Sequence, residues 1–142
     1  MQHSALFQQL IPFITSVHQT TTAMTSDIQH DTITPVQYKI LEYLAVSPPQ
    51  TPSSISVCMN MSLPNTSREL RKLSEKGLCA KTSDPSDGRK QMIYLTAAGK
   101  QLMDDIFSQI EVRFHERIQH LTAEEVEQVE QALQLLQKQV FF

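Results

Sequence analysis

The sequence predicts a mainly α-helical chain with one small β-hairpin. Three observations carry that expectation. Apolar residues recur at steps of three and four through most of the 142 residues. Short polar stretches built on Thr-Pro, Ser-Leu-Pro and Thr-Ala-Glu-Glu repeatedly supply the side-chain oxygens that open helices. One segment, SDPSDGRKQMIYLTAAGK at 83–100, instead makes a polar turn at Asp84 to Gly88 and then alternates apolar and polar side chains.

Leu6, Leu10, Phe13, Val17, Met24 and Ile28 form an amphipathic seam expected to run to about residue 30. Pro12 either kinks this helix or marks its start, because proline removes a backbone donor. Thr34-Pro35-Val36-Gln37 opens the next helix with a cap, a proline in the first turn and a capping box. Val36, Ile40, Leu41 and Leu44 are its expected inward face, and Pro48-Pro49 stops it. Thr51-Pro52 starts a short helix with Ile55, Cys58 and Met59 on one side, closed at Asn60. Ser62 caps a third, SLPNTSRELRKLSEKG, whose Leu63, Leu70 and Leu73 point inward and whose Gly77 supplies a left-handed cap. Leu78 to Ser83 and Lys90 to Thr96 read as two strands. Thr96 caps a long helix carrying Leu102, Ile106, Ile110, Phe114, Ile118 and Leu121. A capping box at Thr122 to Glu125 begins the last, with Val126, Val129, Leu133, Leu136 and Val140 on its seam. The expected organisation is residues 1–33 as an N-terminal helix, 34–96 as a compact central unit and 97–142 as C-terminal helices.

Composition is that of a folded chain: 40% apolar and 19% charged. No apolar run approaches the length of a membrane span, and the N-terminus lacks a basic stretch and a cleavage site, so a cytoplasmic location is expected. The net charge is −3, yet Ser62 to Lys90 holds seven cations (Arg68, Arg71, Lys72, Lys76, Lys81, Arg89, Lys90) against four acids. A basic segment in an acidic chain suits a module that meets phosphate on one face, although a solvated helix surface has the same look.

Two short helices joined by a tight turn, followed by a hairpin, are the order of a winged helix-turn-helix. Its second helix must show polar and basic side chains opposite its leucines, to enter a major groove. Asn65, Arg68 and Lys72 lie on such a side with Glu69, flanked by Thr66 and Arg71. Arginine can read guanine and asparagine adenine, whereas Lys72 suits phosphate. Ser62 and Pro64 stand at the helix N-terminus, where amides favour a phosphate oxygen. Asp87, Gly88, Arg89 and Lys90 form the hairpin tip, where a long cation can reach a minor groove and Asp87 is expected to orient Arg89 through a salt bridge.

With these residues in view, ITPVQYKILEYL, SLPNTSRELRKLSEKGL and SDPSDGRKQMIYLTAAGK resemble the multiple antibiotic resistance regulator (MarR) family of bacterial transcription factors. The resemblance covers essentially the whole chain, and its most specific part is DPSDGR followed by LT and a glycine. It implies a homodimer with intertwined terminal helices and two winged lobes on pseudo-palindromic double-stranded DNA. It implies that Arg68 lies in the recognition helix and that Asp87 and Arg89 form the wing-tip pair. It implies a repressor released by a small aromatic or phenolic ligand, or by cysteine oxidation. Gly88 and Thr82 stand where the family commonly has basic residues.

Cys58 and Cys79 lack CxxC spacing and are expected to be buried, inert thiols. Of His3, His18, His30, His115 and His120, the last two are five apart, off a shared helical face, so no metal site is expected. No catalytic motif or cofactor loop occurs, and no enzymatic role is expected. The rival reading is a winged-helix protein-interaction module that does not bind DNA.

Overall fold

A computed structural model describes residues 2–28 and 32–142. The element order is α1 (Ala5–Thr25), α2 (Pro35–Ala45), α3 (Pro52–Met59), α4 (Leu63–Glu75), β1 (Cys79–Ser83), β2 (Gln91–Leu95), α5 (Ala97–Ile118) and α6 (Ala123–Gln139). Contacts divide the chain into two compact units, Met1–Gln109 and Ile110–Phe142. No helix among the described residues is long and apolar enough to cross a membrane.

In the first unit, α1 ends at Thr25 rather than near residue 30, with Ser26 as its C-cap. Pro12 sits inside it. His30 lies outside the described residues. No residue of α1 is buried, and Leu6 is 78% exposed.

The core is built by α2, α3, α4, the hairpin and the start of α5. Ile40, Leu41, Ile55, Leu73, Met103 and Ile106 are all but inaccessible to solvent. Val36 and Leu63, expected to face inward, are exposed. Each is near the start of its helix, and the buried positions of those first turns are taken by Gln37 and Thr66 instead. Gln37 and Thr66 can be buried because every polar atom is met, by cap and network bonds for Gln37 and by the Ser62 carbonyl for the Thr66 hydroxyl (2.9 Å).

Helix ends follow the chain's own side chains. Thr34, Thr51, Ser62 and Thr122 each accept a backbone N–H three residues on, and Thr34 and Thr122 form full capping boxes. Asn60 closes α3 at φ 52°, a left-handed geometry that asparagine tolerates. After α4, Gly77 takes φ 74°. The Leu78 N–H reaches the Leu73 carbonyl (3.0 Å) and the Gly77 N–H that of Ser74 (2.9 Å), which is a Schellman closure.

The strands pair antiparallel from Cys79↔Leu95 to Ser83↔Gln91. Gln50 adds a third, one-residue strand by exchanging backbone hydrogen bonds with Ile93 (3.0 and 2.7 Å). That pairing fixes the α2–α3 turn to the sheet. The sequence does not predict it, because a single bridging residue has no alternation to display.

The start of α5 packs where the helix-turn-helix meets the hairpin. The Thr96 hydroxyl donates to the Gly77 carbonyl (2.6 Å) and accepts the Gly99 N–H (3.1 Å). The Thr96 N–H donates to the Leu78 carbonyl (3.1 Å). A β-carbon on Gly99 would lie 2.1 Å from that carbonyl oxygen, so this approach needs a glycine.

In the second unit, Phe114 of α5 is exposed rather than inward. Helix α6 has no buried residue, and Val129, Leu133 and Leu135 are exposed.

Candidate nucleic-acid interface

The polar side of α4 is set by its leucines. Leu70 and Leu73 are buried, which leaves Asn65, Arg68, Arg71 and Lys72 exposed on the remaining surface. The Arg68 guanidinium donates to the Asn65 carboxamide oxygen, one turn back, so the two residues present as a pair. Lys72 reaches the Glu69 carboxylate at 3.4 Å, and its own side chain remains 53% exposed.

Thr66 does not belong to this surface. Its side chain is fully buried and turned back to its own helix, which corrects its expected place flanking the DNA-facing side. Glu69 also turns inward: its Oε2 accepts the Gln37 side-chain N–H at 3.0 Å. That bond, and then Lys72 and Lys76, hold the Glu69 carboxyl below its ordinary value near 4.5.

The N-terminus of α4 offers less to a phosphate than a bare helix start. Ser62 Oγ accepts the Asn65 N–H (3.2 Å) and the Ser62 carbonyl accepts the Thr66 N–H (3.0 Å). Pro64 has no N–H. The amides that remain for an anion are those of Ser62 and Leu63, beside the exposed Pro64.

The hairpin tip is ordered by two aspartates. Asp84 Oδ1 accepts the backbone N–H (2.9 Å) and hydroxyl (2.7 Å) of Ser86, and those bonds lower its pKa. Asp87 Oδ1 accepts the backbone N–H of Arg89 (3.0 Å). The expected Asp87–Arg89 salt bridge is therefore replaced by a local turn, in which Asp87 shapes the loop and does not hold the guanidinium. Asp84 donates its N–H to the Lys90 carbonyl (2.8 Å), so the loop closes at its base. Asp87, Gly88, Arg89 and Lys90 are all exposed.

Helix and hairpin share one groove of about 300 Å³, lined by Arg71 and Ser74 from α4 and by Lys81 and Gln91 from the strands. Lys81 belongs to the basic run, but sequence reasoning does not assign it to the site. Its place in the groove depends on strand register, which brings Lys81 opposite Ile93.

A second cavity of about 580 Å³ lies in the same unit and shares no lining residue with that groove. It is lined by Thr22, Thr25 and Ser26 of the α1 end, by Ile28, by Ile33, Thr34 and Pro35, by Tyr38 and Lys39, and by Ile106. The Tyr38 hydroxyl donates to Glu42 at 2.6 Å, and burial followed by that bond raises its pKa, so it stays protonated at neutral pH.

The cysteines separate. Cys79 is buried, and desolvation pushes its thiol up to about 12. Cys58 is exposed, not core-facing as expected, because α3 buries Ile55 and Ser56 and turns position 58 to solvent. No cluster of three metal-ligating side chains occurs among the described residues.

Residues 33–90 match the MarR family model. A Thauera aromatica protein named for transcriptional regulation of the hcr operon is 28% identical over 71 residues, which cover 50% of this chain and 43% of that protein. Among solved structures, a point mutant of MepR from a multidrug-resistant S. aureus clinical isolate superposes with a TM-score of 0.72 at 24% identity, covering 97% of this chain and 98% of that one. MepR bound to ethidium bromide gives 0.65, again at 24% identity, over 97% and 96% of the two chains. A MarR family protein from Bacillus stearothermophilus gives 0.72 at 19% identity over 97% and 95%. These structural likenesses show the fold.

Proposed function

We propose that the protein, whose residues 33–90 match the MarR family model, is a sequence-specific regulator of transcription that binds double-stranded DNA as a homodimer. One observation carries the reading most: exposed Arg71 of α4 and Lys81 of the hairpin line one groove, so helix and wing present cations on a common surface. Asn65 and Arg68 read base edges in the major groove, and Arg71, Lys72 and Lys81 meet phosphate. Arg89 and Lys90 extend from the wing toward a minor groove. Ser62 and Pro64 lie against the backbone at the helix start.

The dimer is supported by the terminal helices. Most of the apolar side chains of α1 and α6 are exposed in the single chain, among them Leu6, Phe7, Ile14, Val129, Leu133 and Leu135, an arrangement a solvated protein rarely leaves uncovered. A second copy would cover them and set two lobes on a two-fold axis, matching pseudo-palindromic DNA with half-sites about one duplex turn apart. The cavity walled by α1, α2 and α5 is the place for a small aromatic or phenolic effector that releases DNA, giving a repressor. Its wall is apolar at Ile28, Ile33 and Ile106 and polar at Tyr38 and Lys39.

Titration of a duplex from the chain's own upstream region at several salt concentrations tests the reading. Counterion release makes affinity fall with a slope of about −0.9 per neutralised phosphate. A flat salt response, or no complex at all, would favour a protein-interaction module instead.

A further inference from the structure

Gln37 has more to do than cap a helix. It is 2% exposed, and its carboxamide is bonded to three residues, Thr34, Glu69 and Lys76. Oε1 accepts the Thr34 N–H (3.2 Å) and the Lys76 ammonium (2.7 Å), while Nε2 donates to Glu69 Oε2 (3.0 Å). Lys76 also donates to the Thr32 carbonyl. The amide orientation is dictated by its partners: two donors face the oxygen and a carboxylate faces the nitrogen.

Glu69 and Lys76 stand seven residues apart, at α4 and its C-cap, so they lie two turns apart on one side of that helix. Both are tied to one side chain, which fixes the roll of α4 about its axis. Glu69 also bonds Lys72, so the same tie reaches a cation on the exposed side of the helix. At its other end the network holds the backbone of Thr32 and Thr34, while Ile33, Thr34 and Pro35 wall the 580 Å³ cavity.

We propose that Gln37 is a positioning residue that relays occupancy of this cavity to the recognition helix. An occupant that displaces residues 32–35 pulls two of the anchors of Gln37 and Lys76, and α4 loses its fixed roll. An effector then acts without touching the DNA-binding face. The proposal rests on the DNA-binding reading for its output, but its mechanical part is testable without it.

The test uses the full chain in a Cys58→Ser background, where Cys79 is buried and only an introduced thiol reacts. Four forms are compared: the parent, Gln37→Glu, Gln37→Glu with Glu69→Gln, and Ser26→Cys modified with benzyl methanethiosulfonate. Ser26 lines the cavity, so the benzyl group is a probe placed there. The Gln37→Glu change keeps the cap acceptor and the bond from Lys76 but sets a second carboxylate against Glu69. Adding Glu69→Gln restores a donor–acceptor pair with reversed polarity. Hydrogen exchange of the α4 amides and affinity for the upstream duplex are read on each.

Gln37→Glu and the benzyl form are expected to speed α4 exchange and to weaken DNA binding about tenfold or more. The double variant is expected to recover both. A Gln37→Glu protein that behaves like the parent, a double variant that recovers nothing while melting normally, or a benzyl form with unchanged α4 exchange overturns the relay. Exchange that follows the expected pattern while no form, parent included, binds duplex upholds the relay and removes the DNA-binding reading instead.

Discussion

Substituting Gly99 with alanine puts a methyl group where the start of α5 meets the end of α4. The new carbon would lie 2.1 Å from the Leu78 carbonyl oxygen, 3.1 Å from its carbon and 3.4 Å from Leu95 Cδ2. Ordinary van der Waals separation begins near 3.4 Å, so helix and carbonyl must part by about 1.3 Å. That carbonyl accepts the Thr96 N–H, and the neighbouring Gly77 carbonyl accepts the Thr96 hydroxyl, so both bonds are strained by the movement. Overpacking of this kind costs about 1–3 kcal/mol, and loosening one hydrogen bond adds about 0.5–1.5 kcal/mol. Alanine returns up to about 1 kcal/mol of helix propensity. The net expectation is a destabilisation of about 1–3 kcal/mol, or a fall in Tm of roughly 4–12 °C for a chain of this length. Thermal unfolding followed by far-UV circular dichroism, with parent and Gly99→Ala at equal protein concentration, reads it directly. A variant that melts with the parent would refute the close approach and the account of the LT-and-glycine motif built on it.

The remaining predictions concern the surface and the titrating groups. Arg89→Ala should weaken operator binding and reduce the salt slope by about 0.9 for each phosphate no longer neutralised, with melting unchanged. Arg68→Ala should cost about 1–3 kcal/mol of binding and relax sequence preference at one position, as measured by a base-substitution series. Because the Glu69 pKa is lowered in the fold, its contribution to stability is fully present above the ordinary carboxylate value near 4.5. That contribution disappears as pH falls through the lower folded value, so Glu69→Gln should flatten the acid limb of a stability–pH profile and leave its neutral part sloping as before. A thiol-reactive dye should label Cys58 in the native protein and Cys79 only on unfolding, since one is exposed and the other is buried with its thiol at about 12.

The sequence by itself determined the order of the elements and the capped ends of most of them, the C-terminus of α1 excepted. Thr34, Thr51, Ser62, Thr96 and Thr122 cap helices by bonds that reach three residues along the chain, and Gly77 closes α4 by its own backbone angle. Such interactions are local, so their partners stand beside them in the sequence. The basic run and the turn at Asp84 to Gly88 are legible for the same reason. What only the tertiary structure decided are choices between nearly equivalent positions. Helical spacing alone could not tell that Gln37 and Thr66 would be buried in place of Val36 and Leu63. For Gln37, burial depends on partners such as Glu69 and Lys76, 32 and 39 residues away. Nor could spacing turn Cys58 to solvent, pair Gln50 with Ile93 or bring Lys81 into the groove beside Arg71. Those outcomes come from elements packing against one another, and the distances involved exist only once the chain has closed on itself.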